Sequence, residues 1–202
     1  MIADATRLDT FYHGKPLKVT YDTGQSIVGR NDSCMSLENF EERILLVKQP
    51  LGSGKSYQAR NLHYDRVCWI TSTRALAAET CRVSGFANYQ NIPHSTPLSW
   101  VDKVVVLIPS LHRMSFKFKK YSCLVIDEAE SCLQDMFSGL VRGPKFEAGM
   151  ECFKLLMETS DKILLLDGFL KNSALSVAVN YAQSLDDIRL VLARYKINRG
   201  AI

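Results

Sequence analysis

A phosphate-binding pattern is present in the stretch Gln49-Pro50-Leu51-Gly52-Ser53-Gly54-Lys55-Ser56. Its two glycines let the backbone turn so that successive N–H groups point at phosphate oxygens. Lys55 can reach the β- and γ-phosphates of a nucleotide, and the Ser56 hydroxyl can bind Mg²⁺. The common form of the pattern, G-x-x-x-x-G-K-[ST], has glycine where this chain has Gln49. The alternative interpretation is a glycine-rich turn with a solvated lysine that binds no phosphate.

Two adjacent carboxylates, Asp127 and Glu128, follow the apolar run "CLVI". One carboxylate at such a strand end can orient Mg²⁺, and its neighbour can polarise an attacking water. The alternative is an ordinary acidic helix start, because the helix dipole favours carboxylates there. Their position downstream of a phosphate-binding pattern favours the catalytic interpretation.

Polar residues also follow three other apolar runs, "RVCWI", "KVVVLIP" and "KILLL". These candidates are Thr73, Arg74, Ser110, Arg113 and Asp167. An arginine at an exposed helix start can hold a phosphodiester, so the first four are candidate nucleic-acid contacts. Thr73 and Ser110 could equally be helix caps. Asp167 is placed to sense the γ-phosphate or to couple hydrolysis to movement, or it is a turn residue.

Six short apolar runs between residues 43 and 195 alternate with helix-like segments. Continuous apolar runs of this length are typical of strands that are buried on both faces. The alternation predicts an α/β fold with a mostly parallel sheet and helices on both faces. The carboxyl ends of the strands then lie along one edge, where ligands bind in open α/β sheets. We expect residues 1–40 to form an N-terminal extension that packs on a main domain of residues 41–202.

Composition limits the classes of protein that remain. The 202 residues carry a net charge of +4, which permits an anionic partner without requiring one. The segment 113–120 interleaves basic and aromatic residues, and is either a nucleic-acid track or a solvated turn. Six scattered cysteines without a C-x-x-C pair indicate buried thiols in a reducing compartment, not a zinc site. No apolar run approaches the roughly 18 residues of a membrane helix, and no secretion signal is visible, so we expect an intracellular protein.

Five segments, taken in order, resemble the first ATPase domain of the superfamily 2 helicases called replication origin-binding proteins. They are "VKQPLGSGKS", "CWITSTRALA", "IPSLHRM", "CLVIDEAESCL" and "LLLDGFL". The herpesvirus initiators are the named example, and similar domains occur in replication helicases of other large DNA viruses and phages. The resemblance covers roughly residues 43 to 185. Helicases of this superfamily carry A-x-x-G-x-G-K-[ST], whose first position need not be glycine, so Gln49 fits, and Pro50 fixes the entry to the loop.

The resemblance implies a RecA-like P-loop NTPase domain that binds ATP and Mg²⁺. It assigns Lys55 and Ser56 to the phosphates and metal, and Asp127 and Glu128 to the metal and the water. It also assigns Thr73 and Arg74 to the backbone of a single- or double-stranded nucleic acid, with DNA favoured. It places Asp167 in the motif that couples hydrolysis to movement. The segment Asp-Gly-Phe departs there from the more typical Asp-Ala-acidic sequence.

Helicases of this class also need a second RecA-like domain, which supplies an arginine to the transition state. Two hundred and two residues hold only one such domain. The expected partner is therefore a second domain or subunit, and the chain alone is expected to bind nucleotide with very slow or no hydrolysis. Two other classes remain open, a DNA-packaging ATPase and a non-catalytic RecA-like assembly module. A viral source would place the protein in the cytoplasm or nucleus of a host cell.

Overall fold

A computed structural model describes residues 10–12, 14–22, 37, 40–114, 119–137 and 143–193. Its strands are β1 (Phe11–Tyr12), β2 (Lys15–Pro16), β3 (Lys18–Asp22), β4 (Ile44–Lys48), β5 (Val67–Thr71), β6 (Ala87–Asn88), β7 (Lys103–Leu107), β8 (Cys123–Asp127), β9 (Lys162–Asp167) and β10 (Ile188–Ala193). Its α-helices are α1 (Lys55–Asn61), α2 (Arg74–Ser84), α3 (Ala129–Phe137), α4 (Pro144–Thr159) and α5 (Asn172–Tyr181). Short 3-10 helices cover Tyr89–Asn91, Leu98–Trp100, Ile108–Arg113 and Leu185–Asp187. Every strand and helix expected from residue 43 onward is present, with small shifts at the ends.

Strands β3 to β10 form one eight-stranded sheet in the order β3-β10-β4-β9-β8-β5-β7-β6. The chain divides into two compact units, the first being Met1–Leu62 with Leu165–Ile202 and the second His63–Leu164. Registered pairings join β3 to β10, β10 to β4, β5 to β7, β5 to β8 and β6 to β7, and all of them are parallel. A separate antiparallel pair consists of β1 and β2. The predicted α/β fold with a mostly parallel sheet is confirmed.

In the first unit, β10 lies between β3 and β4. Strand β3 comes from residues 1–40, the predicted N-terminal extension, and it is a member of the main sheet. The run "LKVTY" indicates a strand, but its partner β10 comes from the far end of the sequence, which local patterns do not reveal. The proposed domain boundary at residue 40 remains a prediction.

An ionic cluster stabilises the start of these strands in the first unit. Arg189 donates to the Glu42 carboxylate at 2.6 Å and to the Thr20 hydroxyl at 3.1 Å, while Lys18 lies 3.6 Å from Glu42. Burial alone would raise the pKa of Glu42, but the hydrogen bond and the positive charges of Arg189 and Lys18 outweigh it and lower the pKa. This contribution to stability is present above the unfolded pKa of the carboxyl and is lost as the pH falls through its folded pKa.

In the second unit, every residue of β5 and β8 is buried. Successive side chains of a strand point to opposite faces, so both faces of the sheet are covered at these strands. Trp69 of β5 contacts Phe86 edge to face, with ring centroids 6.3 Å apart. This is the burial that the continuous apolar runs predicted.

The five cysteines in the described part of the chain are free thiols, and four of them are buried. Burial raises the pKa of Cys68 and that of Cys123, the latter to about 12, so both thiols stay protonated. The predicted burial of these thiols is confirmed. Within the same part of the chain, the helices are too short or too polar to cross a membrane. Residues 115–118 of the basic-aromatic segment 113–120 lie outside the described residues.

Arg66 connects the amino-terminal ends of several strands in the second unit. Its guanidinium donates to the carbonyl of Ser99 at 2.8 Å and to the carbonyl of Lys120 at 3.1 Å, and it pairs with Asp102. It also lies over the Tyr121 ring, 4.9 Å from the centroid. The side chain is only 17% exposed, and its loss would leave the part-buried carbonyl of Ser99 without this donor.

Replacing Arg66 by methionine should lower the free energy of unfolding by about 2–3 kcal/mol, the cost of several charge-assisted hydrogen bonds at a partly buried position. Urea denaturation followed by circular dichroism measures it. Arg82→Met is the matched control, because Arg82 is exposed and pairs with Glu79 on its own helix, and such pairs contribute little. Equal effects of the two substitutions would contradict the role given to Arg66.

Candidate functional site

The predicted phosphate loop of the first unit connects β4 to α1. Gly52 and Gly54 have φ angles of 80° and 86°, in the left-handed region that side-chain-bearing residues disfavour. The Ser53 amide donates to the Pro50 carbonyl at 3.2 Å and closes a tight turn. The backbone therefore requires glycine at both positions where the phosphate-binding pattern has it.

Gln49 occupies the place of the missing glycine and points into the protein, with only 2% of its surface exposed. Its side-chain oxygen accepts a hydrogen bond from the Ser53 hydroxyl at 3.4 Å. Its backbone N–H donates to the carbonyl of Asp167 at 3.2 Å. Gln49 thus braces the loop from within, a role that the sequence pattern did not reveal.

The chain enters α1 directly from Gly54, and Lys55 is the first helical residue. Lys55 is buried, Ser56 is partly exposed, and Leu51 at the loop tip is exposed. The buried Lys55 beside this glycine turn favours binding of an anion, because a buried positive charge is costly without a counter-charge. The structure therefore brings Gly52, Gly54 and Lys55 together, and their assignment to phosphate remains a prediction.

Asp167 begins a second loop that contacts the phosphate loop within the first unit. Its carboxylate accepts a hydrogen bond from the Phe169 amide at 2.8 Å, which is the turn geometry expected of an aspartate before glycine. Lys48 donates to the Leu170 carbonyl at 2.9 Å. A Cβ atom added to Gly168 would lie 3.4 Å from the Gln49 carbonyl oxygen. This close approach explains why glycine follows Asp167, and the coupling role of Asp167 remains a prediction.

The two predicted catalytic carboxylates lie at the carboxyl end of β8 in the second unit. Asp127 is the last residue of the strand and is buried. Glu128 has a φ angle of 53°, and among the described residues it is the one non-glycine residue with a positive φ. Left-handed backbone at such a residue costs of order 1–3 kcal/mol and clusters at functional sites. With this positive φ, the Glu128 side chain leaves the backbone in a different direction from that in a regular strand or helix.

Ser72 holds the Glu128 carboxylate within the second unit, because its hydroxyl donates to Oε2 at 3.4 Å. The Glu128 carbonyl also accepts the Cys132 amide at 3.0 Å, which starts α3. The sequence analysis singled out the neighbouring Thr73 and Arg74 and missed this contact of Ser72. The position of Ser72 directly after a buried strand could have indicated a site residue, but the sequence does not show that Glu128 is its partner.

Thr73 caps helix α2, as one of the two sequence interpretations proposed. Its hydroxyl oxygen accepts the amide of Leu76 at 3.2 Å. Arg74 follows as the first helical residue, and both are exposed. Capping leaves Arg74 accessible at the positive end of an eleven-residue helix. Its contact with a nucleic acid remains a prediction.

Arg113 lies at the end of the 3-10 helix Ile108–Arg113, and its guanidinium is used within the protein. It donates to the carbonyls of Tyr89, Ile92 and Pro93 at 2.8, 2.7 and 3.1 Å. Arg113 therefore holds the segment 89–93 in place, a structural role that its position in a basic stretch did not indicate. Ser110 is partly exposed on the same helix. The predicted nucleic-acid contacts of both residues remain untested.

No family model matches this chain. Relatives include a replication origin-binding protein of human herpesvirus 6A, 26% identical over 164 residues, which cover 75% of this chain and 20% of that protein. A predicted replication origin-binding protein of Acanthamoeba polyphaga mimivirus is 27% identical over 171 residues, which cover 71% of this chain and 21% of that protein. A predicted helicase of the same virus is 28% identical over 60% of this chain and 13% of its own length. The chain thus spans about a fifth or less of these relatives.

A DEAD box protein from Methanococcus jannaschii has a similar fold, with a TM-score of 0.52 and 20% identity over 78% of this chain and 46% of that chain. This likeness confirms the RecA-like fold. The names of the sequence relatives confirm the resemblance to replication origin-binding proteins that the five motifs predicted. They also give the chain a helicase-like character in general terms.

The strain at Glu128 can be measured with two substitutions that both remove its carboxylate. Glu128→Gly should be more stable than Glu128→Ala by about 1 kcal/mol, because glycine adopts a positive φ freely and alanine does not. Both variants lose the Ser72 hydrogen bond, so the difference isolates the backbone. Urea denaturation of the two variants measures it. An alanine variant as stable as the glycine variant would show that Glu128 carries no backbone strain.

Proposed function

We propose that this chain is the ATP-binding part of a DNA or RNA helicase or translocase that acts in genome replication. The observation that carries the proposal is the phosphate loop, in which two left-handed glycines lead into a buried lysine at a helix start. The relatives named origin-binding protein and helicase support the replication context. An intracellular location goes with such a function.

The residues fit ATP and Mg²⁺ in their chemistry. In the first unit, the loop amides and Lys55 would hold the phosphates, and the Ser56 hydroxyl is an oxygen donor of the kind that Mg²⁺ prefers. In the second unit, the Asp127 carboxylate is a donor of the same kind, and Glu128 would orient the attacking water. The bound metal would neutralise charge on the phosphates. Full hydrolysis would need a second RecA-like domain or a partner subunit, as the resemblance implies.

The hydrogen bond from Ser72 to Glu128 gives the second unit a positioned carboxylate. A water-orienting group must be held in a narrow range of directions to be effective. The strained backbone of Glu128 and the Ser72 hydroxyl together would restrict its side chain. We therefore assign Ser72 as a positioning residue for Glu128.

Lys55→Ala should weaken ATP–Mg²⁺ binding by about 10- to 100-fold, because a charge-assisted contact to phosphate contributes about 1.5–3 kcal/mol. Isothermal titration calorimetry of the 202-residue chain measures it. Arg60→Ala, which removes a cation from the same helix away from the loop, is the control and should retain the original affinity. If the wild-type chain binds no nucleotide, or if Lys55→Ala binds it equally well, a non-catalytic assembly module becomes the better interpretation.

Arg74→Ala should weaken binding to single-stranded DNA of any sequence and reduce the slope of log affinity against log salt concentration by about 1, since one phosphate contact is lost. Fluorescence anisotropy with a labelled oligonucleotide at several salt concentrations measures both. Arg82→Ala, on the same helix but paired with Glu79, should change neither. An unchanged salt slope in Arg74→Ala would remove Arg74 from the nucleic-acid interface.

A further inference from the structure

A partly open cavity lies in the second unit, between the 3-10 helix Ile108–Arg113, the end of α3 and the first half of α4. Its volume is about 140 Å³. An engineered protein cavity of roughly 150 Å³ accepts a benzene molecule, so one ring or a branched aliphatic group of similar size fits here. None of the residues assigned above to phosphate, metal or the attacking water lines it.

The interior of the cavity is apolar. Ile108, Leu111, Met136, Phe146 and Met150 supply most of its wall. An apolar ligand body gains from leaving water, and methionine side chains adapt their shape to what they contact. The cavity therefore favours a compact apolar group over a sugar, a phosphate or a nucleobase with several polar edges.

Gly149 keeps the cavity open where α4 meets the 3-10 helix. A Cβ atom added there would lie 3.5 Å from the His112 amide nitrogen and 3.8 Å from the Leu111 Cβ. The first atom of a side chain would already be in contact, so a longer side chain would have to enter the cavity or push α4 away. The absence of a side chain at residue 149 thus preserves both the helix packing and the space.

Two charged residues, Lys145 and Asp135, also line the cavity, and both are exposed. Lys145 lies four residues before Gly149 on α4 and therefore on the same helix face. Among the residues that the structure describes, Lys145 has no ion-pair or hydrogen-bond partner. It sits in the first turn of α4, where the helix dipole does not favour a cation. Asp135, by contrast, already takes part in an interaction.

We propose that this cavity binds a small organic anion, in which one aromatic ring or an aliphatic group of similar size carries a single carboxylate that pairs with Lys145. The ring enters the apolar interior, and the carboxylate stays at the exposed edge beside the ammonium group. None of the residues that line the cavity belongs to the phosphate loop, and the cavity binds this anion whether or not the loop binds a nucleotide.

The test uses 4-fluorophenylacetate as the probe and the 202-residue chain with ¹³C-labelled methionine methyl groups. We expect saturable binding with a Kd of the order of 1 mM, as for a ligand of this size. The methyl resonances of Met136 and Met150 should shift, while that of Met157, which is buried elsewhere on α4 and does not line the cavity, should stay in place. Binding of the anion at the phosphate loop would leave Met136 and Met150 unshifted and would overturn the proposal.

Charge is tested with three probes and two exposed variants that should fold normally. Lys145→Gln should weaken binding of 4-fluorophenylacetate at least about threefold and leave the affinity for neutral 4-fluorotoluene unchanged. Asp135→Asn should bind the anion at least as tightly as the wild type does. Cationic 4-fluorobenzylamine should bind more weakly than the anion. The proposal fails if Lys145→Gln binds the anion as well as the wild type, if the cation binds more tightly, or if no probe saturates below about 10 mM.

Discussion

Burial of both faces of the sheet is the constraint on which the rest of the structure depends. The strands β5, β8 and β9 carry only buried residues, so no polar group with a function can lie within them without a large desolvation cost. Polar chemistry is therefore displaced to the residues where strands end. In the second unit, parallel pairing of β5 with β7 and with β8 gives these ends a common edge, which is why Ser72 and Glu128 meet.

Residues at strand ends lack the hydrogen bonds of the sheet and need other means to hold a fixed shape. The first unit supplies them through the Gln49 amide, the Asp167 carboxylate and the Lys48 ammonium, each bonded across the two loops or within one. The second unit uses a serine and a strained glutamate backbone. In both units the shape of the loop is fixed by the residues assigned to the site and by their close neighbours in the sequence.

The sequence predicted the elements well because the signals were local. Continuous apolar runs predicted the strands from β4 onward except the two-residue β6, and the glycine pattern predicted the phosphate loop. Its limits were contacts between distant positions. The sheet partner of β3, the serine that holds Glu128 and the carbonyls that bind Arg113 all lie far along the chain from the residue concerned. Arg113 shows the difficulty most clearly, because a cation in a basic stretch looks like a ligand contact until the carbonyls that accept its hydrogen bonds are found inside the fold.

Gln49 has a consequence for how such loops are identified from sequence. A buried side chain bonded to Ser53 fills the position where many phosphate loops have glycine. The first position of such a loop can therefore hold either a glycine or a glutamine. In this chain the glutamine side chain accepts a hydrogen bond from the serine at the fifth position. Search patterns that require glycine at the first position will overlook chains with this hydrogen bond. A pattern that pairs Gln at the first position with Ser at the fifth would find them.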